Sequence, residues 1–139
     1  ADDYVGRFVR EVDRSKILNA GLFMRKPKSI LYVKQGPRTA LRIMDDYDWN
    51  DMLVIDRDNR LLGMVESDDI LKAVRSGDKD LSKIIMDVPS VGPDTPMSDV
   101  VQIMVTTDFP IPVVDGNGTL LGTVSPSVAA EALNMGGGE

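Results

Sequence analysis

The sequence contains no cysteine and no histidine. Without cysteine there is no disulfide and no thiolate nucleophile, a composition compatible with a reducing cytoplasm. Without histidine there is no imidazole general base, no Ser-His-Asp triad and no imidazole ligand for zinc. Aromatic residues make up 5% of the chain, with a single tryptophan, so the core must be aliphatic. No apolar run approaches the roughly 18 residues of a membrane span. No signal-peptide pattern opens the chain. No Gly-x-x-x-x-Gly-Lys-Ser/Thr occurs either, so this stretch is not expected to hydrolyse ATP. An enzyme is therefore the least favoured class, since no nucleophile–base pair is present.

What is present is a repeat. Residues 52–65 read MLVIDRDNRLLGMV and residues 111–124 read IPVVDGNGTLLGTV, aligned without a gap at an offset of 59. Asp56 falls on Asp115, and Leu61-Leu62-Gly63 falls on Leu120-Leu121-Gly122. Upstream, Phe23-Met24 matches Ile85-Met86, and Ile43-Met44 matches Ile103-Met104. A unit of roughly 60 residues is used twice. The 139 residues, 42% hydrophobic, suit two intimately paired subdomains. Neither copy buries enough surface alone, so the two are expected to pack face to face.

Periodicity gives each copy the order strand–helix–strand–strand–helix, an α+β arrangement with helices packed on a sheet. Residues 2–12 place Val5, Phe8, Val9 and Val12 at helical spacing, so 1–15 read as a lead-in helix and linker. Residues 15–24 read as a connector ending at Met24. Copy one spans 16–76, with strands at 29–34, 52–55 and 61–65 and helices at 39–46 and 67–74. Copy two spans 77–135, with a short helical turn at 81–86, a stub strand at Ser90-Val91, helices at 97–106 and 125–133, and strands at 111–114 and 120–124. Residues 76–80 link the copies, and 136–139 form a glycine-rich flexible tail.

The net charge of −6 hides a segregation. Residues 14–44 carry eight Lys/Arg and no acid, whereas residues 45–69 carry nine acids against Arg57 and Arg60. An acidic chain is a poor nucleic-acid binder, but the basic stretch could meet an anionic membrane surface. The competing reading is that the two segments neutralise each other or scatter over a solvated surface. Asp45, Asp46, Asp48 and Asp51 surround Tyr47 and Trp49 at an expected helix C-terminus, where acids oppose the dipole. The basic segment is their expected partner. Asp56-Arg57-Asp58-Asn59 fails as a calcium loop, because Leu61 stands where glycine is needed and Ser67 where the bidentate acid is needed. A hairpin turn is the better reading.

The run hh-V-D-x-x-x-x-L-x-G-x-V, followed by a helix and preceded by a turn ending in Met, resembles a CBS domain. Two in tandem, over about residues 16–133, resemble a CBS pair. The lead-in ADDYVGRFVREVDRSKIL (1–18) is similar to the segment joining the ATPase domain to the CBS pair in ATP-binding subunits of glycine betaine/proline (quaternary amine) ABC importers. The resemblance implies a regulatory module that gates transport in response to ionic strength, and in some members through cyclic di-AMP bound between paired modules. It implies a homodimer of CBS pairs, an ATPase domain and a membrane subunit as partners, and a cytoplasmic location at the inner face of the membrane.

CBS pairs commonly hold adenosine nucleotides through Thr/Ser-x-x-Asp at the start of the last helix. Copy one has Glu66-Ser67-Asp68-Asp69, which keeps Asp69 but replaces the hydroxyl residue by Glu66. Copy two has Ser125-Pro126-Ser127-Val128, which keeps Ser125 but replaces the Asp by Val128. Neither copy has the full pair, which argues against ordinary AMP or ATP binding. The acids of copy one would also repel phosphate from the helix end. Their simpler role is Ser67 as N-cap with acids in the first turn, and in copy two Ser125 as N-cap with Pro126 behind it. The candidate ligand-contacting set is Asp69, Ser125, Glu66, Ile111 and Pro112. The candidate electrostatic or membrane-contact set is Arg25, Lys26, Lys28, Lys34 and Arg38. No metal site and no obligatory cofactor are expected, with an adenine nucleotide or cyclic di-AMP as the candidate ligand. The alternatives are a stand-alone adenosine-nucleotide sensor and a structural dimerisation module.

Overall fold

The computed structural model describes residues 18–27, 30–47, 50–107 and 109–137. The lead-in expected over 1–15, and Lys28, Asp48 and Trp49, lie outside the described residues. In chain order the elements are α1 (Ala20–Phe23), β1 (Ile30–Tyr32), α2 (Pro37–Tyr47), β2 (Asp51–Ile55), β3 (Leu61–Glu66), α3 (Ser67–Ser76), α4 (Met97–Met104), β4 (Ile111–Val114), β5 (Leu120–Val124) and α5 (Pro126–Gly137).

The chain divides into two compact units that do not coincide with its sequence repeats. One unit comprises residues up to Lys26, then Pro89–Asp115 and the chain from Leu121 onward. The other comprises Pro27–Val88 with Gly116–Leu120. Each unit thus takes most of one repeat and a short piece of the other.

In the Pro27–Val88 unit, β1 runs parallel to β2, and β2 runs antiparallel to β3. The parallel pair is joined through α2, the crossover that a parallel connection requires. The hairpin turn follows from Asp56, whose Oδ1 accepts from the N–H groups of Asp58 (2.8 Å) and Arg60 (3.0 Å). Asn59 then adopts φ 64°, a left-handed conformation that asparagine tolerates. Beyond β3, Met86 forms a fourth, antiparallel edge against Met64. The core gathers Leu31, Ala40, Met44, Met52, Val54, Val65, Ile70 and Leu81. All but Leu81, which comes from the loop after α3, are apolar positions of the strands and of one face of each helix. Full burial of an aliphatic side chain such as Leu31 or Ile70 contributes roughly 1.5–3 kcal/mol.

The other unit repeats the plan. Val91 makes a parallel bridge to Val113 of β4, β5 is paired with β4, and Arg25 makes the antiparallel edge against Thr123. Its core is Ala20, Val91, Met97, Val100, Ile111, Val113, Val124 and Ala129. The edge in each unit is therefore supplied by a segment near the start of the opposite repeat.

Three local expectations change. Residues 81–86 do not form a helical turn: the Ile84 N–H bonds to the Leu81 carbonyl, and the chain then straightens so that Met86 and Met64 exchange both backbone bonds (2.8 and 2.9 Å). Pairing with β3 satisfies more backbone groups than a short helix would. The connector before Met24 contains a helical turn, α1, capped by the Asn19 side chain on the Leu22 N–H (3.1 Å). Finally, α5 continues to Gly137, so Gly136 and Gly137 of the expected tail are helical.

Candidate functional site

Two helix N-termini carry the candidate ligand residues, one in each unit. In the Pro27–Val88 unit, β3 ends at Glu66, which lies opposite Asp51 at the start of β2. The Ser67 N–H donates to the Asn50 carbonyl (2.9 Å), which fastens the start of α3 to the strand entry. Glu66, not Ser67, occupies the N-cap position, and its side chain makes no capping bond. Ser67 is already the first helical residue, which corrects the expectation that it caps. Asp68 and Asp69 follow in the first turn. Four carboxylates, Asp51, Glu66, Asp68 and Asp69, thus collect at one end of the sheet. Burial holds the Asp51 carboxyl above its ordinary range. The helix dipole is already complemented by its own acids, so a phosphate arriving here meets like charge.

The Ser125 end is built differently. The Ser125 Oγ accepts from the Val128 N–H at 3.4 Å and lies 3.2 Å from the Ser127 Oγ. Pro126 occupies the first helical position, where its missing N–H costs nothing. The expected cap at Ser125 is therefore present, and the first turn holds no acid. In the same unit, Ile111 and Pro112 are buried in β4. The Pro112 carbonyl accepts from the Val91 N–H (3.0 Å), and the Val114 N–H donates back to the Val91 carbonyl (2.8 Å). This end is neutral and rich in hydroxyls. The buried Thr107 hydroxyl oxygen has no hydrogen-bond partner among the described residues.

Asp69 and Glu66 therefore belong to one unit, and Ser125, Ile111 and Pro112 to the other. The basic candidates are likewise divided: Arg25 and Lys26 fall in the unit of Ser125, Lys34 and Arg38 in the unit of Asp69. Lys34 already pairs with Asp80 at 3.7 Å, in an exposed contact of small energetic weight. Asp80 is in turn bonded by the Ser82 N–H (3.0 Å) and hydroxyl (2.7 Å), which hold its carboxyl below the usual range. Arg38 and Arg42 line an open groove of about 330 Å³ with Leu41, Asp45 and Val74, between α2 and α3. Asp45 lines the same groove as these two arginines. Among the described residues no group of acids is arranged to hold a metal ion. No described helix is long and apolar enough to cross a membrane.

The glycines of the repeated Leu-Leu-Gly carry a second function that the repeat alone did not reveal. A Cβ on Gly63 would lie 2.2 Å from the Met86 carbonyl oxygen, and one on Gly122 would lie 2.8 Å from the Arg25 carbonyl oxygen. Each glycine is the point where the incoming edge segment touches the hairpin. The duplication of Leu-Leu-Gly was the available signal, and the contact partners were not.

The CBS domain family matches residues 20–76 and again residues 79–134. The chain belongs to the CBS domain family. Its two copies make it a tandem CBS pair. The chain is 33% identical over 135 residues to the glycine betaine/carnitine transport ATP-binding protein GbuA of Listeria monocytogenes, covering 96% of this chain and 34% of that protein. The CBS pair thus spans about a third of the length of this relative. Among solved structures, Staphylococcus aureus OpuCA superposes with a TM-score of 0.69 at 22% identity, covering 81% of this chain and 97% of that one. CbpB in complex with c-di-AMP superposes with a TM-score of 0.78 at 11% identity, covering 94% of each chain. At these identities the two structures speak for the fold.

Proposed function

We propose that this CBS pair is the regulatory module of the ATP-binding subunit of a glycine betaine/proline-type ABC importer, gating transport in response to ionic strength, to a nucleotide such as cyclic di-AMP, or to both. The observation that carries this reading is the alignment of nearly the whole chain with one third of a betaine transport ATP-binding protein, in a sequence that has no phosphate-binding loop. On this reading its partners are the ATPase domain, the membrane subunit and a second CBS pair, and it works at the cytoplasmic face of the membrane.

Two inputs fit the residues. The first is electrostatic. Arg25, Lys26, Lys28, Lys34 and Arg38 bind an anionic membrane surface, or the acidic 45–69 stretch of a partner, at low salt. The contact loosens as the Debye length falls from about 10 Å at 0.1 M to about 3 Å at 1 M. The second is a nucleotide contacted by Asp69, Glu66, Ser125, Ile111 and Pro112. The Ser125 end, with no acid in its first turn, suits the phosphates. The solved complex of CbpB with c-di-AMP makes that nucleotide the first to try.

The test combines vesicle flotation across a KCl series with calorimetry of AMP, ATP and cyclic di-AMP. Salt-dependent flotation that is lost on reversing Arg25, Lys26 and Lys28 supports the first input. A heat of binding for cyclic di-AMP, diminished by Ser125→Ala, supports the second. Flotation indifferent to KCl together with no heat for any nucleotide would refute the proposal and leave a structural dimerisation module.

A further inference from the structure

Residues 18–26 are bound to their unit as a strap. The Met97 N–H donates to the Leu18 carbonyl (2.8 Å), and Asn19 bridges Pro96. The Ala20 N–H donates to the Thr95 carbonyl (2.9 Å) and the Gly21 N–H to the Pro93 carbonyl (2.8 Å). Arg25 and Thr123 exchange both backbone bonds, at 2.8 and 2.9 Å. Ala20 is fully buried, and Leu18, Phe23 and Met24 pack on the same core.

Both ends of this strap meet segments next to candidate ligand residues. Thr123 lies two residues before Ser125 on one continuous chain, with only the buried Val124 between them. The loop that receives Ala20 and Gly21 begins at Val91, which is bonded to Pro112 and Val114 of β4. The strap is fixed by separate backbone bonds at a sheet edge together with the burial of Ala20, so its hold depends on the segments at both of its ends. The matching edge of the other unit is Met86, which lies in the second repeat.

Resting on the reading that a ligand acts at the Ser125 helix end, we propose that residues 18–26 are the transmission segment of the module. They convert the state of the Ser125 cap and β5 into a change in how firmly Leu18 and the residues that follow it are held. The Ser125 helix end is joined to the strap through Thr123 and through the loop that begins at Val91, so regulation leaves through the second repeat.

Amide hydrogen exchange on the 139-residue chain tests this without any ligand. Ser125→Ala removes the cap, and exchange at the Ala20, Gly21 and Arg25 amides should accelerate about fivefold, the equivalent of one lost cap. Ser125→Thr should restore the slow rates, and the Met86 amide should accelerate clearly less than the strap amides in Ser125→Ala. Gly122→Ala, which pushes on Arg25, should reciprocally accelerate the Val128 amide. Strap amides indifferent to Ser125→Ala, or a Met86 amide accelerated as much as the strap, would overturn the proposal. A cyclic di-AMP titration on the same chain separates the two levels. Coupled strap and cap amides with no response to the nucleotide keep the transmission segment and remove the nucleotide reading.

Discussion

Gly63 and Gly122 occupy the same place in the repeat but under different constraint. A methyl at Gly63 would overlap the Met86 carbonyl oxygen and the Ile85 side chain, and φ there is +152°. At Gly122 the nearest atoms are the Arg25 carbonyl oxygen at 2.8 Å and the Met24 side chain at 3.2 Å, which can shift slightly. Gly63→Ala should therefore cost about 3 kcal/mol and Gly122→Ala about 1–2 kcal/mol, both measured by urea denaturation. Asp51 offers a pH test. Its carboxyl is raised above the ordinary 3.8 by burial. Below about pH 3.8 it is protonated in both folded and unfolded chains and contributes nothing. As pH rises the unfolded chain ionises first, so a destabilising contribution grows until pH passes the raised folded value, and then stays constant. Asp51→Asn should stabilise the fold at neutral pH, with the gain vanishing below about pH 3.8 in pH-dependent denaturation.

The elements separate what local sequence encodes from what distant segments impose. The hairpin around Asp56–Asn59, the strands of the Leu-Leu-Gly run and the Ser125–Pro126 helix start were all legible, because turn chemistry, alternation and capping act within a few residues. Ser67 looked like an equally good cap. It is not one, because its N–H is drawn to the Asn50 carbonyl and the helix starts one residue earlier than the serine suggested. Ser125→Ala should cost about 1 kcal/mol in urea denaturation, whereas Ser67→Ala should stay within about 0.5 kcal/mol. Residues 81–86 read as a helical turn because Leu81, Ile84 and Ile85 have that spacing, and only the edge of β3, some twenty residues upstream, turns Met86 into a paired strand residue. The same exchange makes the repeats interdependent. A fragment of residues 77–139 lacks the strap and should show little helical circular dichroism alone, with signal restored on mixing with residues 1–76. A fragment that folds cooperatively by itself would contradict the exchange of edges.

At the scale of the molecule, the duplicated pattern identified a CBS pair, while the candidate site was only partly legible. Each repeat had lost a different half of the nucleotide motif, and the two helix ends differ accordingly: four carboxylates gather at one, and uncharged hydroxyls cap the other. The long basic run in the sequence is not one element of structure, since Arg25 and Lys26 belong to one unit and Lys34, Arg38 and Arg42 to the other. A linear stretch of charge does not say how the chain will be divided, and here the division follows the exchanged edge segments. The regulatory reading is tested most directly by function. An importer whose GbuA-type ATP-binding subunit carries this chain in place of its corresponding third would be reconstituted in anionic vesicles. ATP-driven betaine uptake would then be measured from about 0.1 M to about 1 M KCl, with and without cyclic di-AMP. The account predicts uptake that rises with KCl or changes on addition of the nucleotide, and that loses the response when Arg25, Lys26 and Lys28 are reversed or Ser125 is replaced by alanine. Uptake that is active yet constant across every one of these conditions would contradict it.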